Sequence, residues 1–494
     1  MNFPFQPQVE FCLSEADCVS SENLGAVCSS LLRIIPEQLA GLVRLTSDTK
    51  KIVEGSVTGF SFLARSFWPE VAEKFLASLS HVASPGNPDE FVKNYNIAMK
   101  FLEDFEMNLE CEESFRSVRD SEQYNDFMQL WNLSVYFQIR FQEIAKPVES
   151  LMTATTLEKA ESDQCRLKVT EVAMMSIQEC FKPEIYLPSL SQRFLQLSLQ
   201  IIARYRVWVE LCLKTFKEGP SKDMKRSGTS TNLQSVETTS KKTSMSKSVS
   251  EKDLAAVAAV SVLTIQMEDI INIFADISHF ISVIPKLIEL PSSCSVDITP
   301  AVSAASSELS SMLPLISDAI SASIATAPIK SVKSVVDIPR MYRRTNRETP
   351  SKPCPYILNV IEAFTSFHSS QGRVAGPRDL EAWLGVASDL VITQYLVQVQ
   401  DVLANVTKME ESLRKLKKVR ERGGGGAGGK DKGSGLSDDD KIRLQLYLDV
   451  THFVRVLEGG ALGDMSSVLK GENCDKIKMV VEEAVASFLS DLNL

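Results

Sequence analysis

Apolar residues recur along most of this chain at alternating spacings of three and four, whereas strict alternation of apolar and polar residues is almost absent. The first spacing places apolar side chains on one face of an α-helix, and the second is typical of β-strands. The pattern therefore predicts an all-α protein whose helices pack through one apolar face. With 494 residues, 44% of them hydrophobic, the chain exceeds the ~250–300 residues that one core serves, which indicates two or three helical units.

Two apolar stripes mark helices in the first half of the chain. One begins after the turn sequence from Ser84 to Pro88, and the other begins after Pro188, whose fixed φ angle suits a first helical turn. The first stripe is Phe91, Tyr95, Ala98, Leu102, Phe105 and Leu109, and the second is Leu190, Phe194, Leu197, Ile201, Tyr205, Trp208 and Cys212. Each stripe predicts a helix with one buried face.

Two further stripes in the second half keep a heptad rhythm. One runs Val260, Leu263, Met267, Ile270, Phe274, Ile277, Ile281 and Ile284, and Pro285 is predicted to end or kink its helix. We interpret it as bundle core rather than coiled coil, because it lacks charges beside the seam. The clearer seam is Ile392, Tyr395, Val399, Val402, Val406, Met409, Leu413 and Leu416, flanked by charges. We expect this second seam to be largely buried against another helix.

Composition divides the chain into six consecutive regions. Two are linkers, since a Ser/Thr/Lys-rich stretch and a glycine run lack the apolar residues that would offset the entropy of ordering them. The prediction is a poorly defined segment at 1–33, a helical bundle at 34–218, a disordered linker at 219–252, a second bundle at 253–422, a Gly-rich linker at 423–436 and C-terminal helices at 437–494.

Charge and cysteine content narrow the class of protein. The net charge of -10 argues against a nucleic-acid partner, because such proteins present a basic domain or stripe. The ten cysteines show no C-x-x-C spacing and are interpreted as reduced, mostly buried thiols. The start of the chain lacks the pattern of a secretory signal. The most apolar stretch, Leu254 to Ile265, is shorter than the ~20 residues of a spanning helix, so we expect only peripheral membrane contact.

No residue pattern indicates a catalytic, cofactor-binding or metal site. The four histidines are far apart in the sequence, without the spacing of metal ligands. Residues Gly424 to Lys430 formally match the phosphate-binding loop G-x-x-x-x-G-K, but Asp431 stands where Ser or Thr would hold magnesium. The sequence therefore predicts an interaction protein with no catalytic, cofactor or metal residues.

Two basic clusters leave alternatives open. The cations after Leu413 lie at the end of a predicted helix, where the helix dipole favours them, and a lipid-binding role is the weaker alternative. The second cluster is Lys330, Lys333, Arg340, Arg343, Arg344 and Arg347. It is either a solvated or intramolecular segment or a surface for anionic lipids or an acidic partner.

Six ordered sequence blocks resemble the family of subunit 2 of the conserved oligomeric Golgi complex. They are SPGNPDEF at Ser84 to Phe91, WNLSVYFQIRFQEIA at Trp131 to Ala145, YLPSLSQRFLQLSLQIIARY at Tyr186 to Tyr205, IPRMYRRTNRETP at Ile338 to Pro350, VTKMEESLRKLKKVR at Val406 to Arg420 and LSDDDKIRLQLYLDV at Leu436 to Val450. The resemblance implies that this chain is the family's C-terminal portion and lacks its N-terminal coiled-coil section.

The resemblance also implies a function. It implies an elongated rod of consecutive helical bundles, as in subunits of multisubunit tethering complexes, and a non-enzymatic scaffold on the cytosolic face of the Golgi. The implied partners are the sibling subunits, SNARE proteins, Rab GTPases and Golgi coiled-coil tethers. The implied process is intra-Golgi retrograde vesicle traffic, which supports Golgi organisation and the retention of glycosylation enzymes. Two alternatives remain at this point: a helical adaptor outside the Golgi, and an enzyme whose site is assembled from distant residues.

Overall fold

The computed structural model describes residues 21–45, 61–109, 111–219, 264–289, 297–345, 347–422, 436–458 and 472–488. Most of both predicted linkers, 219–252 and 423–436, lies outside these ranges. So do the first twenty residues and the glycine motif from Gly424 to Lys430.

Helices account for the regular secondary structure of the described ranges, and the β-pairing found there is an isolated bridge between Lys159 and Leu167. The prediction of an all-α protein is confirmed. The helices are α1 Ser21–Ile34, α2 Trp68–Leu79, α3 Pro88–Glu106, α4 Glu112–Arg119, α5 Glu122–Leu130, α6 Leu133–Met152, α7 Lys168–Glu179, α8 Ser191–Glu218, α9 Met267–Leu287, α10 Thr299–Ser310, α11 Met312–Val332, α12 Ile338–Tyr342, α13 Pro355–Gln371, α14 Pro377–Arg422, α15 Asp438–Glu458 and α16 Glu472–Val485.

Three of the four predicted stripes can be followed over most of their length. In α3, the stripe residues from Phe91 to Phe105 are buried, and the helix begins at Pro88 as the turn sequence predicts. In α8, every stripe residue from Leu190 to Cys212 is buried. In α9, Ile270, Ile277 and Ile284 are buried, while the helix continues past Pro285 to Leu287. Apolar spacing therefore identified the buried faces of these helices correctly.

The chain forms two compact units that interleave along the sequence. Unit 1 is Met1–Met152, Glu171–Tyr205 and Val283–Ala305, and unit 2 is Thr153–Thr170, Arg206–Ser282 and Ser306–Leu494. The five crossings fall at the end of α6 and inside α7, α8, α9 and α10. The six regions expected from composition stay a prediction, because composition marks linkers but does not tell which helices pair in space.

Unit 1 is built around aromatic side chains. The Trp68 and Phe105 ring centroids are 5.3 Å apart, and Phe75 meets Phe127 edge-on at 5.1 Å. All four rings are essentially fully buried. Aromatic side chains bury large areas, and offset or edge-on pairs contribute a further ~0.5–1.5 kcal/mol each. This cluster accounts for the packing of α2 against α3 and α5.

Unit 2 is organised by the long helix α14, which packs against α11 and α16. The indole Nε1 of Trp383 donates to Ser317 Oγ of α11 at 2.8 Å, so this buried ring is also hydrogen-bonded. On the same helix, the Tyr395 ring meets Phe453 of α15 at 6.0 Å. The N-terminal part of the seam on α14 is thus core.

Within the described ranges, four helical stretches are long and apolar enough to cross a bilayer by length and composition. They are Asn23–Leu45, Met267–Leu287, Thr299–Tyr342 and Pro377–Leu416. Uninterrupted apolar runs in the sequence predict no stretch of that length, because charged and polar residues interrupt each of these helices. Between 33% and 50% of each apolar window is buried within the protein, and Asp276 of α9 is buried and hydrogen-bonded inside unit 2.

Candidate functional site

The basic segment from Lys330 to Arg347 turns towards the acidic start of α15. Arg343 follows the last residue of α12, and its Nη2 donates to Asp439 Oδ1 at 3.3 Å. The backbone N–H of Arg344, which has a φ of +60°, donates to Asp438 Oδ2 at 3.3 Å. Lys441 Nζ of α15 donates to the Arg347 carbonyl oxygen at 2.7 Å. The intramolecular interpretation is therefore correct for this end of the segment.

The other cations of the segment face solvent. Lys330, Lys333, Arg340 and Arg347 are exposed, and Arg340 pairs with Asp337 at 3.5 Å across an exposed surface. Val336 between them is 53% exposed. Such an exposed pair contributes little to stability. The segment keeps a positive outer surface while its inner side is fixed to α15.

A buried carboxylate lies beneath this segment in unit 2. Asp449 of α15 accepts hydrogen bonds from the Cys354 backbone N–H at 2.6 Å, the Tyr356 hydroxyl at 2.8 Å and Gln445 Nε2 at 2.8 Å. Burial raises the pKa of Asp449 above its ordinary value of 3.8, although these donors act in the opposite direction. Because each oxygen is paired inside the core, the carboxylate fixes the start of α13 against α15.

Gln445 extends this polar cluster back to the basic segment. Its Oε1 accepts from the Tyr342 hydroxyl at 2.6 Å, and its Nε2 also donates to the Lys352 carbonyl oxygen at 3.0 Å. Gln445 and Asp449 are one helical turn apart on the buried side of α15. Sequence reasoning missed both residues. Their available signal was two polar residues, four apart, on a helix whose other buried positions are mostly apolar.

Unit 1 contains a comparable buried charge in the SPGNPDEF and WNLSVYFQIRFQEIA blocks. Arg140 of α6 donates to Asp89 of α3, to Glu143 Oε2 at 2.9 Å and to the Tyr136 hydroxyl at 3.3 Å. The hydrogen bond from Arg140 lowers the pKa of Asp89. The Tyr136 hydroxyl in turn donates to the Ile185 carbonyl oxygen at 2.6 Å. These contacts join α3, α6 and the segment before α8.

The seam on α14 divides into a buried part and an exposed part. Val399, Val402 and Val406 are at most 3% exposed. The next positions of the same heptad pattern are exposed: Met409 by 48%, Leu413 by 58% and Leu416 by 66%, together with the neighbouring Val419 by 69%. The expectation that the seam is buried through to Leu416 is therefore wrong for its last three positions.

The reason lies in where the covering helix begins. α15 runs antiparallel to α14, since Phe453 meets Tyr395 and Arg443 pairs with Glu410 at 2.9 Å. Because α15 starts at Asp438, just five residues before Arg443, α14 continues past it to Arg422. At 1.5 Å per residue, the stretch beyond Glu410 is roughly 18 Å long. A heptad pattern predicts a partner for the seam but not how far that partner extends.

The described part of the chain contains no group of three or more residues able to hold a metal ion. Cys28, Cys180 and Cys354 are buried, and burial raises their thiol pKa values to about 12, 11 and 12. A thiol with such a pKa carries almost no thiolate near neutral pH, so these cysteines are poor nucleophiles. Asn132, one of two Asn-x-Ser/Thr positions, accepts from the Val135 N–H at 3.1 Å near the start of α6.

The fold and its surfaces define an all-helical protein with buried polar clusters that fix helix packing and an exposed heptad extension suited to contacts with other helices. Comparison with known proteins identifies the family. Residues 129–450 match the family model "COG complex component, COG2, C-terminal". The chain belongs to this family, the conserved oligomeric Golgi complex subunit 2 family, as the six sequence blocks predicted.

Relatives named conserved oligomeric Golgi complex subunit 2 occur in distant organisms. The human protein is 30% identical over 460 residues, which cover 90% of this chain and 61% of the relative. The Drosophila melanogaster protein is 27% identical over 87% of this chain and 57% of the relative. The Arabidopsis thaliana protein is 25% identical over 83% and 53%, respectively. The chain thus spans between half and about three-fifths of the length of these relatives.

Proposed function

We propose that this chain is a non-enzymatic scaffold subunit of the conserved oligomeric Golgi complex. The observation that carries the proposal is the family match over residues 129–450, which include most of the polar contacts in both units. The human, Drosophila melanogaster and Arabidopsis thaliana relatives are named as the same subunit of that complex. Its nearest interaction partners are then the sibling subunits of the complex.

The process that we propose is vesicle tethering in intra-Golgi retrograde transport, and through it Golgi organisation and the retention of glycosylation enzymes. SNARE proteins, Rab GTPases and coiled-coil tethers of the Golgi are the further partners that such a role requires. The chain works on the cytosolic face of the Golgi membrane as a peripheral protein. Long helices fixed by buried polar clusters support this role, because they give rigid surfaces for protein contacts.

The polar clusters have a structural role in this proposal. Asp449 is hydrogen-bonded to neutral donors and Arg140 is paired with carboxylates, and each joins segments that are far apart in the sequence. A buried charge whose partners are all in place restricts the helices to one packing arrangement, and removal of one partner is strongly destabilising. The two clusters keep the surfaces of each unit in fixed positions for binding.

Affinity purification tests the proposal. The chain, tagged at its C-terminus, is expressed in cells and purified under mild conditions, and co-purifying proteins are quantified by mass spectrometry. We expect enrichment of sibling subunits over a tagged chain destabilised by Asp449→Ala. Recovery of a folded chain without any sibling subunit, or with subunits of a different assembly, contradicts the proposal.

A further inference from the structure

Among the described residues, no helix covers the apolar positions at the end of α14. We define the seam extension as Met409, Leu413, Leu416 and Val419. Their side chains are between 48% and 69% exposed. Single exposed apolar residues are ordinary on protein surfaces. Four of them within eleven residues, at spacings of four, three and three, form a continuous stripe about 15 Å long on one side of a helix.

The stripe continues an interface that already exists. Met409, Leu413 and Leu416 occupy the same heptad positions as Val402, Val406 and Tyr395, which are buried in unit 2. At the border, Glu410 beside the seam pairs with Arg443 of α15 at 2.9 Å. The covered part therefore shows how this seam is used: a helix lies along it, and a charge beside the seam meets an opposite charge on that helix.

Beyond the border the charge is positive. From Leu413 to Val419 the sequence has four basic residues, Arg414, Lys415, Lys417 and Lys418, and no acidic residue. The helix dipole favours cations only near the last turn, and Arg414 and Lys415 lie about two turns before the end at Arg422. Glu410 is already paired with Arg443, and Glu411 stands four residues before Lys415, the spacing of an intrahelical ion pair. The extension therefore keeps a net positive charge, which an acidic binding partner would complement.

We propose that the seam extension docks an amphipathic helix of another protein, one with apolar residues in heptad spacing and acidic residues beside them. The inference deepens the proposed function by giving one surface and the chemistry of its partner. The inference rests on the proposed function only for the identity of the partner protein. The apolar stripe and its positive charge are features of this chain and do not depend on that function.

Two other occupants fit the observations less well. A second copy of this chain would bring two clusters of four basic residues together, which opposes pairing. A membrane-binding helix usually has a broad apolar face with aromatic residues. The extension instead has a narrow stripe of Met, Leu and Val, and Arg420 follows in the heptad register after Leu413. A helix with acidic flanks is the occupant that matches both the stripe and the charge.

A designed peptide tests the proposal with the full chain. The probe is a labelled peptide of about three heptads with Val and Leu at the seam positions and Glu beside them. A control peptide of the same length has Lys in place of each Glu. Binding is measured by fluorescence anisotropy, and the bound region is located by hydrogen exchange. We expect the acidic peptide to bind and the basic peptide not to bind. Binding of the acidic peptide should protect residues 409–419 from hydrogen exchange.

Matched variants give the decisive comparison. Leu413→Asp combined with Leu416→Asp is expected to weaken acidic-peptide binding by at least ~tenfold. Val397→Asp, at a 46% exposed position of α14 outside the seam, is expected to leave it unchanged. Circular dichroism verifies that both variants stay helical. Equal binding of acidic and basic peptides, or unchanged binding by the double variant, overturns the proposal.

Two further outcomes would assign the surface to another occupant. A dimer of the chain that the double variant dissociates, without peptide binding, overturns the proposal in favour of self-association. Flotation with phosphatidylserine vesicles that the double variant abolishes, again without peptide binding, overturns it in favour of a membrane. The peptide assay contains no sibling subunit, so its failure does not contradict the proposed function. Co-purification tests the proposed function separately.

Discussion

Val402 and Leu413 occupy the same seam of α14, but only Val402 is covered. Val402 is 3% exposed, whereas Leu413 is 58% exposed. Replacing each by Asp makes the same kind of chemical change in two environments on one helix. The difference between the two variants therefore measures how far the packed part of the seam extends.

The expected loss for Val402→Asp has two parts. Removing the buried valine side chain costs about 1.5–3 kcal/mol. Burying a carboxyl group without a prepared partner costs a further ~1–3 kcal/mol. Together they predict a loss of roughly 3–5 kcal/mol, which corresponds to a decrease in Tm of roughly 6–20 °C at about 2–4 °C per kcal/mol. Leu413→Asp is expected to stay within about 0.5 kcal/mol of the wild type.

Thermal and urea unfolding followed by circular dichroism at neutral pH provide the measurement, with the unfolding of unit 2 fitted as its own transition where two are seen. The reasoning fails if Val402→Asp leaves stability unchanged, since the seam would then be open at that position. It also fails if Leu413→Asp is as destabilising as Val402→Asp, because the extension would then be packed in the isolated chain.

Three further pairs of substitutions test the buried clusters and the basic segment, each by urea denaturation. Asp449→Ala leaves buried donors unpaired and is expected to cost about 2–4 kcal/mol. Because burial raises the pKa of Asp449 above 3.8, its favourable contribution is complete below about pH 4 and is lost as pH rises through the folded-state pKa. Asp449→Asn should remove that pH dependence, and an unchanged slope relative to the wild type would contradict the burial argument. Arg140→Ala should cost about 2–4 kcal/mol, because the Arg140 side chain is only 7% exposed. Asp89→Asn should cost at most ~1 kcal/mol, because the Asp89 side chain is 70% exposed. Equal losses would mean that the ion pair, and not the burial of Arg140, accounts for the stabilisation. Arg343→Glu places a negative charge beside the acidic start of α15 and should lower the free energy of unfolding by about 1 kcal/mol. Arg340→Glu, at an 87% exposed side chain, should have no measurable effect. The reverse order would show that Arg343 is not held by the ion pair with Asp439.

The helical fold could be predicted because apolar spacing is local information. The stripe from Phe91 to Phe105 and the stripe from Leu190 to Cys212 needed nothing but the periodicity of one helix. The turn sequence did the same for one helix start, since Pro88 begins α3.

The pairing of helices could not be predicted in this way. Arg166 and Leu167 donate backbone hydrogen bonds to Asp276, more than a hundred residues later in the sequence. No spacing rule links such positions. The same limit explains the interleaved units, since the sequence marks where helices stop and not which helices they contact.

The candidate surfaces were predicted in part. The sequence singled out Arg343 and the seam on α14, but it could not decide between a solvated cation and an ion pair with Asp439. It also could not show that α15 covers the seam only as far as Glu410. Exposure depends on the partner's length as well as on the seam's own pattern, and the seam extension became visible only in three dimensions.

Reconstitution with purified sibling subunits tests the central claim most directly. The chain is mixed with the other subunits of the conserved oligomeric Golgi complex and analysed by size-exclusion chromatography with light scattering. We expect the chain to co-elute with at least one sibling subunit in a complex of defined mass, at micromolar or lower concentrations. Elution of the folded, helical chain alone in every mixture would contradict the assignment of this chain as a scaffold subunit of that complex.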